Sequence, residues 1–166
     1  MVIINIVKDL KRQSVGMLKV LKNYYQISKM IHTSAQPTVD QFSIIKNSNI
    51  ETIINLAKTD SPNAIENEAE IASENSMDYI HIPVDFEKPT ATELDSFFNI
   101  MEQFSNKNVL IHCAYNWRVS CFIYLYRVVK MNISKDIAEK DMLNVWQPNE
   151  RWQIFINNNI KKRDEK

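Results

Sequence analysis

Ile111-His112-Cys113-Ala114-Tyr115-Asn116-Trp117-Arg118 is the stretch on which the reading of this chain turns. Just upstream, Asn108-Val109-Leu110-Ile111 is a short apolar run of the kind that makes a buried strand. Just downstream, Val119, Cys121, Phe122, Ile123, Leu125, Tyr126, Val128, Val129 and Met131 leave a helix with no polar face. A helix apolar all round belongs in the middle of a domain. The quoted segment is therefore a short loop between a buried strand and a buried helix.

The same alternation extends outward. Ile53-Ile54-Asn55-Leu56 and Tyr79-Ile80-His81-Ile82 read as two further buried strands, the second stopped by Pro83. Thr38 with Gln41, Asn63 with Glu66, and Thr90 with Glu93 have the spacing of helix-capping pairs. Val39, Phe42 and Ile45 follow the first at helical spacing, and a helix from the second is expected to run to about Asn75. Leu94, Phe97, Phe98, Met101 and Phe104 fall on one face of the third. Helices over about 134–146 and 149–159 follow, the latter with Trp152, Phe155 and Ile156 inward. Strands alternating with helices predict an α/β fold: a mostly parallel central sheet with helices on both faces. Ligands in such sheets sit at the carboxyl ends of strands, and Cys113 stands at such an end.

The bulk numbers agree with one domain. The 166 residues are 45% apolar and 24% charged, enough for a real core in an ordinary globular chain. Twenty cationic and twenty anionic side chains cancel to a formal net charge of +0, so no global field favours nucleic acid or an anionic membrane. No stretch approaches a membrane span, and the run Met1-Val2-Ile3-Ile4-Asn5-Ile6-Val7 is too short for a secretory signal. Two cysteines eight residues apart do not make a disulfide framework, which fits a cytoplasmic chain. Three scattered histidines offer no metal-ligand spacing, so no metal and no cofactor are expected. Residues 1–22 read as a helical extension with Val7, Leu10, Met17, Leu18 and Leu21 on one face, 23–160 as the domain, and 161–166 as a charged tail. Oligomeric state is open. With a single glycine, Gly16, the chain must make its turns with asparagine, which tolerates left-handed backbone.

A cysteine before a buried helix is often only a small core residue. Here loop amides and a helix start would surround it, making an anion site that favours thiolate over thiol. Arg118 closes the loop with a fork-shaped cation matched to two phosphate oxygens. Such a set suits attack on phosphorus: Cys113 as nucleophile, the amides of Ala114, Tyr115, Asn116 and Trp117 with Arg118 as oxyanion donors. Asp85, on the loop after the 79–82 strand, is the candidate general acid, with Glu87 in reserve. His112 reads as a support behind the loop. His32 and His81 read as structural, and Cys121 as helix core.

His112-Cys113 followed by Arg118 resembles the signature of cysteine-dependent protein tyrosine phosphatases. Several phrases resemble a bacterial tyrosine-phosphatase-like family related to the beta-lactamase hydrolase-like phosphatases. They are Thr33-Ser34-Ala35-Gln36-Pro37-Thr38, Ile54-Asn55-Leu56-Ala57, Asp60-Ser61-Pro62-Asn63-Ala64, Tyr79 through Asp85, Arg118-Val119-Ser120 and Trp146-Gln147-Pro148-Asn149. The resemblance implies a three-layer tyrosine-phosphatase fold, a metal-independent phosphocysteine mechanism on Cys113, Arg118 and Asp85, and a phosphorylated protein or small phosphate ester as partner. It departs in one place. Four residues separate Cys113 from Arg118 where the superfamily has five, and the hydroxyl that follows the arginine comes one position late, at Ser120. Four is the spacing of rhodanese-like sulfurtransferases, and a shortened loop also suits a phosphatase-fold module that binds phosphorylated ligands without turnover.

Overall fold

The computed structural model describes residues 16–164. Five strands, β1 (Tyr25–Gln26), β2 (Ile31–Ser34), β3 (Thr52–Asn55), β4 (Asp78–His81) and β5 (Val109–His112), form one sheet in the order β1-β2-β5-β3-β4. β1 pairs antiparallel with β2, and the other three pairings are parallel. β5 is therefore central, and Ser34 and Asn55 both stand in register with His112. The carboxyl ends of β2, β3 and β5 meet where Cys113 begins.

Among the described residues six α-helices cover the sheet: α1 (Gln41–Asn47), α2 (Glu68–Glu74), α3 (Ala91–Gln103), α4 (Trp117–Val129), α5 (Lys135–Val145) and α6 (Glu150–Asp164). Successive strand residues point to opposite faces. Val109 and Ile111 join a core with Phe97, Phe98, Phe122 and Trp152, whereas Leu110 joins Phe42, Ile45, Ile50 and Ile53 on the far side. The result is the expected α/β sandwich of three layers.

α3 starts as expected, with Thr90 Oγ1 accepting from the Glu93 amide and Glu93 Oε2 accepting from the Thr90 amide. Elsewhere the boundaries differ. Only Gln41 completes its half of the first box, accepting from the Thr38 amide, and Val39 is exposed, not inward. α2 begins at Glu68, five residues beyond Asn63, so Asn63 caps no helix. α4 stops at Val129 and leaves Met131 exposed. β1 and β2 carry no strand signal in the sequence: the buried positions of β2 are His32, Thr33 and Ser34, not an apolar run. The expected helix over 1–22 lies outside the described residues as far as residue 15. From there a short helical turn buries Leu18 and Leu21 against Phe42 and Ile45. No helix among the described residues is long and apolar enough to cross a membrane.

Candidate active site at the end of the central strand

The β5 strand delivers Cys113 to the carboxyl end of the sheet, and Asn116 turns the chain into α4. Asn116 does so with φ 70°, a left-handed conformation that asparagine adopts with less strain than other side chains bearing a Cβ. The site thus obtains a glycine-like turn without glycine. Cys113, Ala114, Tyr115, Trp117 and Arg118 line one open cleft of about 170 Å³, with Pro62 and Phe86 on its rim. α4 begins at Trp117, so the positive end of a buried helix lies at the cleft floor.

Arg118 is buried and held in place by backbone. Its Nη1 donates to the carbonyls of Leu56 and Val84, both at 3.1 Å. These carbonyls follow β3 and β4, so one guanidinium ties three strand ends together. A guanidinium has five N–H donors, and anchoring one nitrogen leaves others for a ligand. Phe86 packs at 6.0 Å from the guanidinium carbon.

Behind the loop stands a pair that the sequence did not reveal. His112 Nε2 lies 2.5 Å from Oε1 of Glu68, and both side chains are buried. The two atoms are in close contact without the direction of a hydrogen bond, and neither has a partner of good geometry. Oε2 of Glu68 accepts from Asn55 Nδ2 at 3.1 Å and Gln36 Nε2 at 3.2 Å. Asn55 also donates to Tyr79 Oη, whose phenol is pushed up to about 12 by burial, with the Glu68 charge adding. Glu68 sits among Glu66, Glu70 and Glu74 in a stretch that reads as a solvated helix face. The only clue was that its register on α2 matches the buried Ile71 and Ala72.

The other anticipated residues fall as follows. Asp85 follows Val84 but is not among the residues lining the cleft. Its Oδ1 accepts from the Glu87 amide at 2.8 Å, and Lys58 Nζ lies 3.8 Å from Oδ2. The Glu87 amide above all, with Lys58 and Lys88, holds its carboxyl below the usual carboxylate range. Glu87 is paired with Arg151. Ser120 Oγ donates to the Trp117 carbonyl and lines a separate small cavity with Thr33 and Arg127. The Asn116 side chain points out of the loop, to the Asn23 carbonyl and Thr33 Oγ1. Burial pushes the Cys121 thiol up. His32 contacts Tyr24 Oη and is lowered by burial, while His81 Nε2 lies 2.6 Å from the Ala57 carbonyl. Among the described residues no group of three His, Cys, Asp or Glu side chains could hold a metal ion.

The family model of polymorphic toxin system DSP-PTPase phosphatases matches residues 28–118, from just before β2 to the arginine that closes the loop. The chain belongs to this phosphatase family. Among solved structures it is similar to a DUF442 phosphatase candidate of Shewanella putrefaciens. The identity is 29%, with 90% of this chain and 98% of that one covered at a TM-score of 0.81. The fold also matches a cysteine-to-serine variant of P. aeruginosa TpbA in complex with pTyr, at 15% identity, 87% and 91% coverage and a TM-score of 0.66. A third match is the core catalytic domain of the PP-IP phosphatase SIW14 of S. cerevisiae, at 17% identity, 87% and 94% coverage and a TM-score of 0.68. No curated protein matches the chain. The family agrees with the resemblance read from the quoted phrases, and the fold with the expected tyrosine-phosphatase type.

Proposed function

We propose that this chain is a cysteine-dependent phosphatase that hydrolyses phosphate monoesters. The observation that carries the reading is the shared cleft of Cys113 and Arg118, floored by the start of α4. The Cys113 thiolate attacks phosphorus, forming the S–P bond as the ester P–O bond breaks. Asp85 supplies the proton to the leaving oxygen. Water then gives a proton to the Asp85 carboxylate and attacks phosphorus, the S–P bond breaks to return the Cys113 thiolate, and inorganic phosphate leaves. Loop amides and Arg118 hold the equatorial oxygens throughout. No metal takes part in this scheme. Phe86, Tyr115 and Trp117 around the cleft support an aryl leaving group, as in phosphotyrosine.

The test is hydrolysis of p-nitrophenyl phosphate by the full chain with chelator present. Turnover is expected, and Cys113→Ser should abolish it; activity surviving that change would sink the mechanism. One observation favours a second reading, a binding module without turnover. The Ser120 hydroxyl, expected to assist breakdown of the phosphocysteine, is engaged with Trp117 and faces another cavity. Oxyanion binding without turnover would select that reading. Transfer of sulfur from thiosulfate to cyanide would select the sulfurtransferase instead.

A further inference from the structure

The loop from Cys113 to Arg118 has no glycine, and its shape is held from outside. The Ala114 carbonyl accepts from Asn63 Nδ2 at 2.9 Å and from the Gln36 amide at 3.5 Å. The Tyr115 carbonyl accepts from Asn23 Nδ2 at 3.1 Å. The Asn116 carbonyl accepts from the Ser120 amide at 3.0 Å, and the Trp117 carbonyl from Ser120 Oγ at 2.8 Å. Four consecutive carbonyls therefore have partners outside the loop. In a planar trans peptide the N–H points opposite to the C=O. No peptide among the described residues is cis. Fixing the carbonyls of residues 114–117 thus aims the N–H groups of Tyr115, Asn116, Trp117 and Arg118 away from these partners.

The Asn116 and Trp117 carbonyls are held by Ser120 of α4 itself, but Asn63 and Asn23 come from elsewhere. Asn63 is in the exposed segment after β3, and Asn23 is in the turn before β1, upstream of the family-matched stretch 28–118. Asn23 and Asn116 also reciprocate: Asn23 gives its side chain to Tyr115 and receives the Asn116 side chain on its carbonyl at 2.8 Å. Both have positive φ, 51° and 70°. Lys22 adds a cation 5.6 Å from the Tyr115 ring centroid.

We propose that Asn23 and Asn63 are positioning residues that brace the four-residue loop from outside, turning its amides inward as an oxyanion nest. The inference rests on reading the loop as an oxyanion site. In a loop with one residue fewer than usual, each inward amide carries a larger share of the anion, so the braces matter more.

The test uses orthovanadate and inorganic phosphate as probes of the full chain. Asn23→Gly keeps the positive φ and the carbonyl that receives Asn116, and deletes only the side-chain donor. Asn63→Ala deletes the other donor from an exposed segment. Each variant should bind orthovanadate about 3–10-fold more weakly, the scale of one hydrogen bond, and the pair about the product. Melting temperature should hold. In amide NMR spectra, phosphate should shift the Tyr115, Asn116 and Trp117 resonances downfield in the wild type, and less in the variants. Turnover by the wild type, with oxyanion affinity in the double variant within about twofold of it, overturns the brace and leaves the phosphatase reading intact. Lack of turnover by the wild type, with the downfield shifts lost in the variants, retires the phosphatase reading and sustains the brace.

Discussion

In the segment from Cys113 to Arg118, the carbonyls of Ala114 to Trp117 are all engaged, and the arginine is buried and pinned to Leu56 and Val84. In the segment from Pro83 to Pro89, Asp85 is partly exposed, accepting from one amide with one lysine 3.8 Å away. The first segment is an extension of the core; the second is a surface turn whose Val84 and Phe86 pack on that core and leave Asp85 partly exposed between them. The surroundings of Cys113 are thus set by the core, whereas Asp85, the proton donor in the proposed mechanism, stands outside the cleft lining.

The largest test of this contrast is Glu68→Ala. It strips the buried His112 and Asn55 of a common partner behind the loop, and each buried polar group left unpaired costs about 1–3 kcal/mol. Denaturant unfolding should show this loss, and a small change would mean the loop does not depend on its backing. Next is Arg118→Lys, which cannot fork between two carbonyls and a phosphate. kcat/KM should fall about 10²–10³-fold, the scale of an oxyanion donor. An equal fall in both kcat and kcat/KM would place the lost contact in the transition state. Asp85→Asn belongs to the looser segment, so melting should be unchanged. The rate should drop about 10²-fold for alkyl phosphates and less for p-nitrophenyl phosphate, whose leaving group needs little help. A drop independent of leaving group would remove Asp85 from the acid's role. The smallest effect is expected for Lys58→Met. In the proposed mechanism Asp85 must be protonated to act, and Lys58 helps hold its carboxyl low, after the Glu87 amide. Removing the lysine should move the alkaline fall of kcat/KM to higher pH; a shift to lower pH would contradict this sign.

Much of the fold was legible because burial leaves a composition trace. The apolar runs before Leu56, Pro83 and His112 are three of the five strands. β2 left none, since its buried side chains are polar and satisfied by tertiary partners: His32 by Tyr24, and Thr33 by the Tyr25 carbonyl and Asn116. Cys113, Arg118 and their short loop were legible because the proposed nucleophile and clamp are neighbours in sequence. Glu68, Asn63 and Asn23 were not, because each reaches the loop across a long sequence separation with a side chain that locally signals a helix face or a turn. Asn63 shows the conflict directly: its local signal is a helix cap, and its tertiary role is a bond to Ala114.

All three tryptophans of the chain, Trp117, Trp146 and Trp152, belong to the aromatic stack around Phe86. Trp117 and Trp146 lie nearly parallel at 5.1 Å, and Trp117 also touches Tyr115. Indole fluorescence from this protein therefore originates in the one stack that borders the Cys113 cleft. A ligand seated in the cleft would lie against Trp117, so indole emission is the label-free signal in which to look for its filling.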